Sequence, residues 1–494
     1  MSLIKQFSKD TIIYGLGKGL KKFIGFLLLP VYTRALSPEQ FGILDTIASG
    51  VLFLIVFFNM GLNSAVSFFY FKPEDEKERG SILFTVFILR LLVVIPSIIL
   101  CFFAWPLSRA LFGTEEYASA ILIGFIQIPF SMLLSEQEMV YRLKRNAWGY
   151  NLMTILKSLL NIACGILLVV HYQLGVNGAQ LATLISTAVV VIFSYYSFAS
   201  KQYTFKFNKT WAAEMLSFGF PLIWAGLAVW VYQLSDRFFI IHYRDLTQAG
   251  FYSIGATFSQ PIGLLNLAVQ MSFGALFYEI FNKEKTEEKP KSKQFMQKVL
   301  YLYMSIVSLF VVFISAFAYE IVGFVTTEDY LPGIVAIPFL TVSMMFAQMV
   351  EVVPQGISIA KKTWFYTWVT LAAASVNAGL NFIFIPKYGF IGAAITTLMA
   401  TMTYFILADY LSRKHFNAGF SRTKLYIFVG ITLAASVVFP MMDIEAGRHF
   451  GIWKLPFCLA FISIPFLLRF INIEDVKSTI QQVKSVVNKP GDKS

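Results

Sequence analysis

From about residue 11 to about residue 470 the chain alternates apolar stretches about twenty residues long with short polar connections. A helix rising 1.5 Å per residue needs about that length to cross the hydrocarbon of a bilayer. The pattern predicts an all-α integral membrane fold of about 14 transmembrane helices, the first six at roughly 11–34, 40–64, 81–105, 116–139, 151–170 and 175–199. The next six fall at roughly 213–240, 246–276, 296–322, 331–356, 362–384 and 389–412, and the last two at roughly 423–442 and 450–470.

Two phrases recur along this pattern. Residues 175–184, "GVNGAQLATL", share five of ten positions with residues 389–398, "GFIGAAITTL", at an offset of 214. Residues 34–41, "RALSPEQF", answer residues 244–251, "RDLTQAGF", at an offset of 210. The first pair opens the sixth and twelfth spans, and the second joins spans 1–2 and 7–8. Small residues at these spacings ease helix packing in any membrane protein, but packing alone does not explain a common order and offset. Two homologous six-helix bundles inserted the same way up are therefore expected, 1–210 and 211–415, with a cytoplasmic linker 281–294 inside the second. Residues 416–470 add two helices, and 471–494 form a cytoplasmic tail. The linker "FNKEKTEEKPKSKQ" is charged and without apolar period, so it reads as a solvated connector.

Composition agrees. Hydrophobic residues make up 57% of the 494 and charged ones 14%, about half the charged share of a soluble chain. With the N-terminus placed in the cytoplasm, 28 of the 40 lysines and arginines lie in cytoplasmic loops and tails and six in the opposite loops, Lys454 among them. That bias orients both termini to the cytoplasm. The net charge of +12 is then a basic rim facing anionic lipid heads, with no call for nucleic acid. The polar start "MSLIKQFSKD" and the lack of a small-residue cleavage site argue against a removable signal peptide. Cys101, Cys164 and Cys458 sit in apolar runs without metal-ligand spacing. No phosphate loop and no metal-ligand pair at helical spacing occur, and the short outer loops leave no platform for catalysis. A non-enzymatic transporter without cofactor is expected, driven by an ion gradient, the membrane potential or its substrate.

The candidate site residues are charges placed inside spans. Lys18, Lys21 and Lys22 share one face of the first span. The residues after them are too few to cross the bilayer alone. Facing lipid, each would cost about 2.5–3.5 kcal/mol, so a wet cavity is expected, with snorkelling as the rival reading. Arg90 stands near the middle of the third span, where its rival role is an ion pair with a carboxylate on a neighbouring helix. Lys157 lies shallower, open to cavity lining or snorkelling. Such cations suit an anionic head group, whose phosphate oxygens accept charge-assisted hydrogen bonds. Asp45 and Asp236 are the candidates for H+ or Na+ coupling.

"LPVYTRALSPEQFGILDTI" (29–47), "LSDRFFIIHYRDLTQAGFYSIGATF" (234–258) and "LNFIFIPKYGFIGAAITTLMA" (380–400) resemble the first, seventh–eighth and eleventh–twelfth spans of the polysaccharide flippases of the multidrug/oligosaccharidyl-lipid/polysaccharide exporter superfamily. The likeness runs through the whole chain in order. It implies two six-helix bundles that alternate between inward- and outward-open forms, in the bacterial cytoplasmic (inner) membrane. It implies transport of an undecaprenyl-pyrophosphate-linked oligosaccharide to the outer leaflet for surface polysaccharide. Partners would be the lipid bilayer and the polymerase and glycosyltransferases of the same pathway. By type and depth Lys18, Lys21, Lys22 and Arg90 fit the basic cavity of the family, and spans 13–14 suit a groove for the lipid tail. The alternatives are a lipid II flippase, a cation-coupled multidrug exporter, which would favour carboxylates in its cavity, and a membrane glycosyltransferase or polymerase.

Overall fold

The computed structural model describes residues 17, 19–20, 24–286, 288–350, 352–446 and 451–470, and among these every regular element is a helix. Many of the helices start where a polar side chain can satisfy free backbone N–H groups. Ser37 caps Pro38–Asn59 in a capping box with Gln40, and proline takes the first helical position. Asp75 caps Glu76–Leu91, Asn146 caps Ala147–Gly165 and Asn208 caps Lys209–Leu234. Between such caps the sequence is apolar, and ten described helices are long and apolar enough to cross a membrane. Shorter apolar helices cover Ile24–Ala35 and Lys454–Leu467.

Several expected spans prove to be broken helices. Trp364–Arg413 runs for 50 residues, but Gly389 inside it has φ 58° and ψ −139°. At 1.5 Å per residue an unbroken helix of that length would be about 75 Å long, far more than a bilayer is thick. The break falls where the sequence divides its eleventh and twelfth spans. Gly175, which opens the other copy of the repeated phrase, also has a left-handed φ of 55°. Both copies thus begin on a backbone that glycine adopts without a Cβ penalty. The second span breaks at Met60 and Gly61, both left-handed, between Pro38–Asn59 and Leu62–Phe69.

By packing, the described chain forms two compact units. The first holds the described residues within 17–257, 322–336 and 366–404, and its core joins Ile43, Ile47 and Val51 to Ile121, Phe125 and Ile128. In this unit the two copies of the second phrase touch. A Cβ on Gly42 would strike the backbone of Gly250 and Leu246, and one on Gly250 would strike Pro38. Tyr330 Oη donates to the Leu36 carbonyl at 2.9 Å, and Arg244 Nε donates to the Ile385 carbonyl at 3.2 Å.

The second unit holds the described residues within 258–321, 337–365 and 405–470. Lys454, read as an outer-loop cation, opens the helix Lys454–Phe461 with no exposed surface. Its ammonium pairs with Asp443 at 2.7 Å and with Glu320 at 2.8 Å. Two carboxylates supply what burial in an apolar stretch takes from the cation. The charged linker 281–294 is short between helices, since Ile262–Lys283 ends in it. Pro290–Ala316 starts inside it, and Glu284 accepts hydrogen bonds from Lys291 N at 2.7 Å and from Ser292 Oγ at 2.7 Å.

Candidate functional site

A polar cavity of about 460 Å³ opens inside the first unit. Helix Ala118–Leu143 lines it with Gln127, Ser131, Ser135 and Glu138, residues three or four apart and so on one face. Lys157 enters from the fifth span and Tyr32 from the first. Ala179, Gln180 and Thr183 complete the wall. These three belong to "GVNGAQLATL", so the first copy of the repeated phrase borders the cavity. The second span contributes Leu44, Ala48, Val51, Leu52 and Ile55. A cation, a carboxylate and several neutral donors and acceptors around one hollow can replace the hydration of a polar group carried to membrane depth.

The basic candidates fare differently. Lys157 borders the cavity. Lys18, Lys21 and Lys22 lie outside the described residues. Arg90 is described and fully buried. Its partners are neutral oxygens: Met132 O at 2.6 Å, Asn63 Oδ1 at 2.5 Å and Asn59 Oδ1 at 3.3 Å. The nearby buried Glu136 instead accepts from Tyr203 Oη at 2.8 Å. Asn63 Nδ2 donates to Ser135 Oγ at 3.3 Å, so Arg90 reaches the cavity wall through a hydrogen-bonded relay.

Asp45 and Asp236 fall into one network, also in the first unit. Consecutive residues of the seventh span, Asp236 and Arg237, meet consecutive residues of the eighth, Tyr252 and Ser253. Tyr252 Oη donates to Asp236 at 2.5 Å, and Ser253 Oγ donates to Asp45 at 2.5 Å. Arg237 pairs with Asp45 and lies over the Tyr252 ring, its Cζ 5.3 Å from the centroid. Asp236 takes further hydrogen bonds from Thr397 Oγ1 at 2.5 Å and Asn381 Nδ2 at 2.8 Å. Thr397 belongs to the second copy of the repeated phrase, "GFIGAAITTL".

Charge reading singled out the carboxylates but not Tyr252, Asn381 or Thr397. Two signals were available. Asn377 and Asn381 are one turn apart in an apolar span and hydrogen-bond to each other at 3.2 Å. Arg237 follows Asp236 directly inside a span, where neither charge is cheap. Among the described residues no group of three His, Cys, Asp or Glu is placed to hold a metal ion.

These features define a polytopic, all-helical membrane protein with a polar cavity and a buried charge network. Residues 7–277, more than half of the chain, match the family model described as "Polysaccharide biosynthesis protein", and the chain belongs to that family. It is 29% identical over 285 residues to "Lsg locus putative protein 1" of Haemophilus influenzae, a stretch covering 56% of this chain and 67% of that one. Its fold is that of the lipid II flippase MurJ in an inward closed conformation, at a TM-score of 0.72 and 18% identity, covering 94% of this chain and 99% of that one. The fold is also similar to an inward-facing multidrug resistance transporter of the MATE family and MOP superfamily, at a TM-score of 0.59 and 17% identity, covering 84% and 94%.

Proposed function

We propose that this chain is an alternating-access transporter that flips an undecaprenyl-pyrophosphate-linked oligosaccharide from the cytoplasmic to the outer leaflet for surface polysaccharide synthesis. The observation that carries this reading is the polar cavity bordered by Lys157, Glu138, Gln127 and Gln180, in a member of a polysaccharide biosynthesis family. A pyrophosphate needs cationic and neutral donors to replace its water, and sugar hydroxyls need hydrogen-bond partners. Lys157 provides the first, joined in this proposal by Lys18, Lys21 and Lys22 from span 1. The polyprenyl tail has the opposite need. An apolar groove of about 390 Å³ in the second unit suits it, walled by Leu309, Phe310 and Phe313 and by Leu455, Cys458 and Leu459 of the last helices. The two repeats, 1–210 and 211–415, provide the two-state frame. The protein resides in this proposal in the bacterial inner membrane with both termini cytoplasmic, beside the polymerase and glycosyltransferases of its pathway.

The charge network divides the roles of the two carboxylates. Asp45 is already neutralised by Arg237, whereas the hydrogen bonds to Asp236 come from neutral donors. Asp236 is therefore the better seat for a coupling proton or Na+. The second reading, a lipid II flippase, is favoured by the likeness in fold to MurJ. One experiment separates the two. Purified protein in proteoliposomes receives a fluorescent undecaprenyl-pyrophosphate oligosaccharide or lipid II, and flipping is read by loss of quenching. The proposal expects transport of the oligosaccharide carrier and its loss in Lys157→Ala and in Lys21→Ala/Lys22→Ala. Transport of lipid II alone would establish the second reading, and transport of neither would remove both.

A further inference from the structure

We propose that Arg90 does not touch the transported anion but is a positioning residue, which pins the break in the second span at Met60–Gly61 and through it holds the cavity wall. The inference deepens the flippase reading above. It begins with the break itself. Met60 and Gly61 have φ of 47° and 67°, so Pro38–Asn59 and Leu62–Phe69 are separate helical pieces. A Cβ at Gly61 would collide with the backbone of Gly219, and one at Gly219 with the Met60 carbonyl. Two glycines thus let the seventh span pack directly on the break. A broken ladder leaves the angle between the two pieces free unless something crosses the gap.

Arg90 crosses it. Its Nη2 donates to Asn59 Oδ1 at 3.3 Å on one side and to Asn63 Oδ1 at 2.5 Å on the other. Nη1 donates to the Met132 carbonyl at 2.6 Å, on the helix that bears Ser131 and Ser135 at the cavity. A planar guanidinium spans three acceptors on three helices, which a lysine ammonium on a flexible stem does not reproduce. Asn63 closes the relay by donating to Ser135 Oγ at 3.3 Å. Arg90 itself has no exposed surface and does not border the cavity. A cation meant for an anionic ligand would be expected to show a donor to the hollow, as the position of Lys157 allows.

Two measurements test this on the full chain in proteoliposomes, with Cys101, Cys164 and Cys458 replaced by serine. Spin labels at Phe57→Cys and Phe68→Cys, both exposed and on the helical pieces either side of the break, report the angle by electron–electron distance distributions. A narrow distribution is expected with Arg90, a broad one with Arg90→Lys, and intermediate broadening with Asn59→Ala, which removes one leg of the clamp. In parallel, binding and flipping of a fluorescent polyprenyl pyrophosphate are measured. Arg90→Lys is expected to keep its Kd within about twofold while the flipping rate falls about tenfold, and Lys157→Ala is expected to weaken the Kd. An unchanged distance distribution in both variants, or a loss of affinity in Arg90→Lys matching that of Lys157→Ala, would overturn the proposal. If the unaltered protein neither binds nor flips the probe, the pyrophosphate reading fails, and the distance distributions alone decide the clamp.

Discussion

Arg237 of the seventh span is ion-paired with Asp45 of the second, and the pair joins the segments that flank the two similar phrases. Asp45 lies four residues past "RALSPEQF", and Arg237 seven before "RDLTQAGF". A transporter that alternates between two forms needs contacts that exist in only one of them. In the alternating-access cycle proposed above, an ion pair beside tightly packed glycines, Gly42 against Gly250, has the properties of such a contact.

The pair predicts a coupled energetic pattern. Arg237 has a side chain 7% exposed and Asp45 one 30% exposed. Asp45→Asn strands a nearly buried guanidinium, at a cost of about 3 kcal/mol, the low end of what breaking a buried pair costs. Asp45→Asn/Arg237→Gln is expected to be less destabilised than Asp45→Asn alone. Thermal unfolding in detergent measures the cycle, and strictly additive effects would remove the coupling.

Asp236 predicts a different phenotype. Its hydrogen bonds come from Tyr252, Thr397 and Asn381, so Asp236→Asn keeps polar partners while losing a charge. Wild-type protein is expected to gain thermal stability when Na+ replaces a large organic cation or when the pH is lowered, because a species that binds only the folded form stabilises it. Asp236→Asn is expected to lose that response and remain folded. A response of equal size in the variant would place the coupling ion elsewhere.

How much of this was legible in the sequence depends on the kind of signal. Gly175 and Gly389 were visible as a repeated phrase, and their left-handed backbones give that repeat a conformational meaning. Lys157 was visible as a charge inside a span, and it borders a cavity. Arg90 was visible too, but its partners Asn59 and Asn63 are neutral, and no charge pattern marks an amide as the partner of a cation. Lys454 was visible as a cation at the start of the last span, but its ion pairs were not. Its two carboxylate partners lie 11 and 134 residues away in the chain. Long-range pairing of that sort leaves no local trace.

The ordered linker predicts a pH dependence. Glu284 caps the helix beginning at Pro290 through Lys291 N and through both N and Oγ of Ser292. Desolvation pushes its pKa up, but these hydrogen bonds and the nearby Lys289 outweigh it, and the net shift is downward. A carboxylate whose folded pKa is depressed adds stability above its ordinary range and loses it as the pH falls through the folded value. The Lys291 and Ser292 amides are therefore expected to be protected from hydrogen exchange at neutral pH, after correction for intrinsic rates. Protection should fade on acidification, and Glu284→Gln should lose most of that dependence. Equal protection of the variant and the parent across the whole range would remove the capping argument.

The last two helices carry a prediction about attachment. Lys454 and Asp443 have side chains with no exposure, and Glu320 is 25% exposed. The ammonium also lies 5.9 Å from the Phe317 ring and 5.8 Å from that of Phe439, so aromatic faces share in holding the cation. Lys454→Met fits an apolar stem into the same space but leaves Asp443 buried without its counter-charge. That is expected to cost about 3–5 kcal/mol, the usual penalty for removing one partner of a buried pair. Lys454→Met/Asp443→Asn removes both fully buried charges and is expected to recover most of the loss, because the remaining carboxylate, Glu320, is partly exposed and can stay solvated. Scanning fluorimetry in detergent, with proteolysis across residues 451–470 as a local readout, distinguishes the variants. If Lys454→Met alone unfolds at the parental temperature and resists protease equally, the buried triad does not fasten these helices. If the double variant is no better than the single one, the loss arises from packing around residue 454 and not from the stranded carboxylate.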